Sequence, residues 1–345
     1  MKLRLLIFIV SVLGFTEPLQ AQLGGSRAFE YLNVPGNTRL MALGGTNLTS
    51  GKGDLSQALY NPALLNGSMD NHLVISRLGY FADISHLMVG YAREFEKTGV
   101  WALQMGYLNY GDIQSFDEAG FLNGSFRVHE YVWSVGNSHQ FGPFSVGANL
   151  KLAVSDLSSY TASALLFDMG GVFEHPEKQL TIGFLVRNMG VLLSDYIDEN
   201  NSRLPLDVQL GVSFKPEHMP FRFSMTARNL NRDDVVYYDP STNQLFGQNN
   251  EPGFSEQVLR RLVFGAELLL SPNFQLRLGY NHLLRQELKN QNAASGGAGF
   301  SFGFMFNTKR LEFAYSRALY HAAGGSNMLQ MNINLNQLLK KKTND

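Results

Sequence analysis

The chain has 345 residues, 28 of them basic and 29 acidic, and it contains no cysteine. A formal charge of −1, with no basic tract in the body of the chain, excludes the electrostatic footprint of a nucleic-acid binder. With no disulfide available, an exported chain of this composition must be held by hydrogen-bond ladders and packing.

The N-terminus bears on compartment. Lys2 and Arg4 precede an apolar stretch from Leu5 to Gly14, and Ala21 stands before Gln22 as a cleavage residue. That apolar core is too short to cross a bilayer, so 1–21 reads as a secretory signal peptide. Residues 22–70 differ from the rest. Phe29, Tyr31, Leu32 and Val34 lead to Pro35, followed by Arg39 to Gly45, a run of helical character from Leu55 to Tyr60, and Asn61-Pro62-Ala63-Leu64-Leu65. This segment is too apolar for a solvated periplasmic extension. The expectation is a plug inside the barrel that follows.

Residues 71–336 predict fourteen strands. The first seven lie near 71–79, 84–94, 99–110, 124–137, 143–155, 161–173 and 179–189. The others lie near 205–215, 220–230, 259–270, 273–284, 294–306, 310–318 and 326–336. Phe300, Phe302, Phe304 and Phe306 alternate with Ser301, Gly303 and Met305, and Leu329, Met331, Ile333 and Leu335 alternate with Gln330, Asn332 and Asn334. Period-two alternation gives each strand two unlike faces, and these polar faces lack the Lys and Glu of a water-facing sandwich. Short connections near 96–98, 139–142, 174–178, 216–219, 271–272 and 307–309 alternate with longer ones, notably 111–123, 190–204 and 231–258. Glycine at 34 residues with 12% aromatics fits the same architecture. The predicted fold is an all-β, antiparallel transmembrane β-barrel of about 14 strands, with short periplasmic turns, long extracellular loops and both chain ends in the periplasm. Residues 337–345, with Lys340 to Lys342, form a periplasmic tail.

A charge facing lipid at the bilayer midplane costs about 2–4 kcal/mol, so Arg222, Arg228 and Arg277 are assigned to the lumen, paired with carboxylates. Trp101, Tyr107, Trp133 and Tyr280 are candidates for the interfacial aromatic belts. Gly299-Phe300-Ser301-Phe302-Gly303 matches the spacing of a hydrolase elbow. That chemistry needs a strand-to-helix turn, whereas Ser301 sits inside an alternating strand facing the lumen. The closest histidines, His129 and His139, are too far apart in sequence for a compact zinc site. No catalytic residue, metal or cofactor is expected.

Phe29-Glu30-Tyr31-Leu32-Asn33-Val34-Pro35, Ala42-Leu43-Gly44-Gly45 and Asn61-Pro62-Ala63-Leu64-Leu65 resemble the start of the PorV/PorQ family of type IX secretion, with the leucine-glycine-glycine form closer to the PorQ branch. The motif residues are Leu43, Gly44, Gly45, Asn61 and Pro62. The resemblance implies a barrel similar to the FadL-type long-chain fatty-acid transporters. It also implies a non-catalytic role in the cell-surface attachment complex, with PorZ, PorU and PorV as partners beside outer-membrane lipid. One departure from many barrels is that the chain runs past Leu339 into a polar tail instead of ending on an aromatic residue. The loop Asn231–Gln257, with Asp233, Asp234, Tyr237, Tyr238 and Phe246, is the candidate partner-binding surface, because rigid rings beside carboxylates suit an interface. Transport of hydrophobic small molecules and general diffusion are the competing functions.

Overall fold

The alternation closes on itself. The computed structural model describes residues 27–51, 53–80, 83–197, 202–232, 253–288, 297–321 and 324–339. Its fourteen strands form one closed barrel in which each strand pairs antiparallel with its sequence neighbours. They are β1 (His72–Gly79), β2 (Ser85–Phe95), β3 (Gly99–Phe116), β4 (Leu122–Phe141), β5 (Phe144–Leu157), β6 (Tyr160–Glu174) and β7 (Leu180–Ser194). They continue as β8 (Asp207–Phe214), β9 (Phe221–Ala227), β10 (Leu262–Ser271), β11 (Phe274–Asn281), β12 (Phe300–Asn307), β13 (Leu311–His321) and β14 (Gly324–Asn334). Closure is made by β14 on β1, from His72 opposite Asn334 to Gly79 opposite Asn327. No sheet edge is left open along that seam.

Side-chain parity separates two environments. On β12, Phe300, Phe302 and Phe306 are about half exposed, whereas Ser301 and Met305 are buried. Trp101, Leu103 and Met105 on β3, Phe223 and Met225 on β9, and Leu329 and Met331 on β14 are exposed in the same way. A continuous apolar band of this extent exceeds the few hundred Å² that a water-facing monomer shows, and it requires hydrocarbon around it. Among the described residues no helix is long and apolar enough to cross a membrane, so strands do the crossing.

Several element ends differ from the sequence expectation. The span near 259–270 begins as a helix, Phe254–Arg261, before β10. The span near 273–284 ends at Asn281 and turns into the helix His282–Glu287, with the Asn281 side chain accepting from the Leu284 N–H as its N-cap. β12 starts at Phe300 instead of near 294, and β9 stops at Ala227 instead of 230, leaving Arg228 past its end. The expected loops 111–123 and 190–204 are partly strand. β3 and β4 carry their ladder on to Phe116 opposite Leu122, and β7 runs to Ser194. The tail expected from 337 is preceded and entered by the helix Leu335–Leu339.

Residues 28–51 and 53–69 lie inside the wall. The segment has short 3-10 turns at Glu30–Asn33, Pro62–Leu64 and Gly67–Met69 and helices at Thr38–Ala42 and Leu55–Ala58. Asn37, Asp54, Asn61 and Asn66 cap four of these pieces, each accepting the backbone N–H of the second or third residue of its helix or turn. Such short pieces cannot stand alone and rely on tertiary packing. Phe29, Leu40, Met41, Leu43, Leu48 and Leu55 are at most 1% exposed.

Candidate functional site

The contacts of this inner segment run around the whole circumference. The Ser76 hydroxyl on β1 donates to the Gly36 carbonyl at 2.6 Å, and the Thr38 N–H donates to Gln330 on β14 at 3.1 Å. On β12 the Ser301 hydroxyl donates to the Ala42 carbonyl at 2.9 Å and accepts from the Gly44 N–H at 3.0 Å. Ser301 is therefore committed to the segment's backbone, with no base beside it. Asn281 on β11 donates to the Gly44 carbonyl at 2.9 Å. Thr46 and Tyr60 both donate to Gln209 on β8 at 3.0 Å. On β4 the Ser138 hydroxyl reaches the Leu65 carbonyl.

Small wall residues let the backbones approach. A Cβ on Gly147 would sit 2.6 Å from the Ala63 nitrogen, and one on Gly279 would collide with the backbone of Leu43 and Gly44. A Cβ on Gly170 would strike the Asn61 amide oxygen. The motif residues Leu43, Gly44, Asn61 and Pro62 are thus parts of the contact with the wall, while the Gly45 N–H donates to the Leu40 carbonyl within the segment. Gly44 and Gly45 have φ of 92° and 101°, a conformation that L side chains rarely adopt.

One ionic cluster crosses from segment to wall. Arg39, buried in the Thr38–Ala42 helix, donates from Nε to Asp54 at 3.0 Å and from Nη1 to Glu267 on β10. Glu267 is 1% exposed and also receives Arg222 Nη1 at 3.2 Å, while Arg277 Nε stands 3.6 Å away, at ion-pair distance but beyond hydrogen-bond reach. The register explains the convergence, since Glu267 lies opposite both Arg277 and Arg222. Asp54 also accepts from the Ser56 N–H at 3.1 Å and its hydroxyl at 2.6 Å. Burial alone would raise the Asp54 carboxyl, but Arg39, Arg277 and Ser56 together hold it below the usual carboxylate range.

A second cluster lies across the lumen. Lys151 Nζ is 2.6 Å from Asp168 and donates to Asn188 at 2.8 Å, while the Asn188 N–H donates to Asp168 at 2.8 Å. Arg187 lies 4.2 Å over the Tyr60 ring and donates to the Leu32 carbonyl at 3.1 Å. Between the clusters a void of about 60 Å³, lined in part by Tyr31, Asn37, His86 and Arg187, holds no more than a few waters.

The sequence-derived residues fall as follows. Arg222 and Arg277 meet at Glu267, whereas Arg228 is half-buried beyond β9, its N–H donating to the Arg261 carbonyl at 2.9 Å. Trp101 and Trp133 are exposed on the outer wall, and Tyr107 and Tyr280 hydrogen-bond His129 and His282. Asp233, Asp234, Tyr237, Tyr238 and Phe246 lie outside the described residues. Among the described residues no group of three His, Asp or Glu could hold a metal ion. At the long-connection end the β3–β4 hairpin exposes Phe116, Phe121 and Leu122. Arg39, Asp54, Glu267, Lys151 and Asp168 were not singled out from the sequence. A lone glutamate in Gly-Ala-Glu-Leu-Leu-Leu, in register with two arginines, was the available signal.

No protein-family model matches the chain, and no curated protein matches it. Among solved structures it is similar to a Pseudomonas aeruginosa FadL homologue at 11% identity and a TM-score of 0.44, covering 86% of this chain and 98% of that one. The TodX monoaromatic hydrocarbon channel, as a deltaS2 mutant, matches at 13% identity and a TM-score of 0.44, covering 87% and 97%. The KdgM porin follows at 6% identity and a TM-score of 0.34, covering 76% and 98%. Likeness at this level carries no functional assignment.

Proposed function

We propose that this chain is a non-catalytic outer-membrane component of the type IX protein secretion system, of the PorQ kind. It anchors the cell-surface attachment complex for secreted cargo, with both termini in the periplasm and PorZ, PorU and PorV as its partners. One observation carries the scaffold reading. The lumen is occupied by residues 28–51 and 53–65, fixed by buried ion pairs and hydrogen bonds to opposite strands. A conduit would need an open path, whereas a platform needs a rigid wall. The exposed Phe116, Phe121 and Leu122 at the long-connection end support docking of partner proteins there.

A second reading, FadL-like transport of hydrophobic small molecules, is favoured by a different observation. Phe126 and Val128 share the inward parity of Val132 on β4, so apolar side chains, interrupted by buried Glu130, lead towards the buried cluster around Phe29 and Leu108. Affinity purification in mild detergent with mass spectrometry of the partners, run beside liposome swelling, separates the two. Co-purified secretion components without swelling support the scaffold. A co-purified lumenal lipid or solute flux, with no partner protein, overturns it.

A further inference from the structure

The outer wall is not uniformly convex. Across β8–β12 a groove of about 560 Å³ is sunk into the apolar band. Its walls come from two cross-strand rows of outward side chains, Met225, Phe264, Tyr280 and Phe300 in one and Phe223, Ala266, Leu278 and Phe302 in the other. Ala266 is the one small residue in those rows. Beneath it the floor is backbone at Gly265 and Gly279, because their inward positions carry no side chain. Leu43 and Gly44 of the inner segment lie directly behind, so the floor is a single peptide layer backed by the glycine motif.

The lining is almost wholly apolar. Its hydroxyl-bearing serines belong to the inward face, and Ser301 is already bonded to Ala42 and Gly44. A polar solute or a partner backbone would find little to bond there. The groove is continuous with the hydrocarbon-facing wall on either side, where Phe313, Leu329 and Leu210 are exposed. At its edge the Arg285 guanidinium stands 5.8 Å over the Phe300 ring while donating to the Ala298 carbonyl at 3.2 Å, placing a cation beside the mouth of the groove.

We propose that this groove is a lipid site: one acyl chain of a phospholipid lies over Ala266 and its phosphate sits by Arg285. The proposal rests on the membrane placement of the barrel and not on a role in type IX secretion. A volume of about 560 Å³ is within the range of small-molecule pockets and suits one chain rather than a lipid bilayer's average, sliding contact.

Native mass spectrometry of the full-length protein from mild detergent tests it, followed by back-titration of delipidated protein with phosphatidylglycerol. Wild type should retain a phospholipid. Ala266→Phe, which fills the groove from the lipid side, should weaken phosphatidylglycerol binding about tenfold or more. Leu103→Phe on β3, across the barrel from the groove, should leave it unchanged. Arg285→Gln should reduce the preference for phosphatidylglycerol over diacylglycerol by about fivefold. Heat-dependent gel mobility in every variant confirms that the barrel has folded, and a variant that has not is replaced by Ala266→Leu. Lipid retained equally by wild type and Ala266→Phe overturns the proposal. So does a wild-type protein that carries only lipopolysaccharide, or a polypeptide protected over β8–β12.

Discussion

Arg39 holds the inner segment to the wall, and replacing it with methionine is the sharpest test of the filled lumen. The stem's packing would be kept and the charge removed. Glu267 would retain Arg222 at 3.2 Å and Arg277 at 3.6 Å, so most of the damage falls on Asp54, left with only Ser56 in direct contact. Breaking one partner from a buried pair costs about 3–5 kcal/mol, and the surviving partners of Glu267 place this case near 3. That is about two orders of magnitude in the equilibrium between seated and unseated segment. The barrel's own ladders are untouched, so the loss should appear as local opening rather than unfolding. Planar-bilayer recordings read it directly: wild type should be closed, and Arg39→Met should show steady conductance together with faster proteolysis within residues 28–65. Arg39→Met with Asp54→Leu should recover part of the seating, because the orphaned charge is gone. If Arg39→Met is as closed and protease-resistant as wild type, the cluster does not hold the segment.

Other consequences are open to measurement. Gly279→Val drives a side chain into the backbone of Leu43 and Gly44, and should cost about 1–3 kcal/mol or block folding, seen as loss of heat-dependent gel mobility. Gly171→Ala meets open space and should be neutral in the same assay. Asn61→Ala removes the cap on Ala63 and the donor to the Leu48 carbonyl, a loss of about 1–2 kcal/mol in urea unfolding into vesicles. Because the folded Asp54 carboxyl is held below its ordinary value, its stabilisation is complete above that value and fades as pH falls through the depressed one. Proteolysis of the segment should therefore be flat from neutral pH into the mildly acidic range and rise only in strong acid. Opening near pH 6 would contradict this assignment.

Strand number, order and facing were legible because period-two alternation depends on each residue's own polarity. Phe300 to Phe306 needed no partner to be read. The strand ends were less so. Leu259-Arg260-Arg261 continues into Leu262-Val263 with no Gly or Pro between them, so the helix that ends there looks like the start of β10. The expected connection 111–123 is in part a continued hairpin: Gly111 interrupts the alternation, and the structure absorbs the interruption as a register shift between Asn109 and Asp112. The ionic cluster was hidden for another reason. Arg39 and Glu267 are 228 positions apart, and only a closed barrel with a chain inside it brings them together. The motif residues 43–45 and 61–62 stood out in sequence, but their purpose depends on the glycines facing them, such as Gly279 and Gly147.

The order of events in assembly follows from the inner segment's reach. Thr38 finds Gln330 across 292 positions of sequence, so a piece near the N-terminus gains its bonds only when the final strand is in place. Until then, Leu40, Met41, Leu43 and Leu48 have no complete wall to pack on. Closing the ring first would force about forty residues through a mouth already sealed, so seating and closure must happen together. Non-local contacts of this kind make folding slow. The unfinished protein is the form most in need of a chaperone, and a lesion at the β14–β1 seam should strand the glycine motif as surely as a lesion in the motif itself.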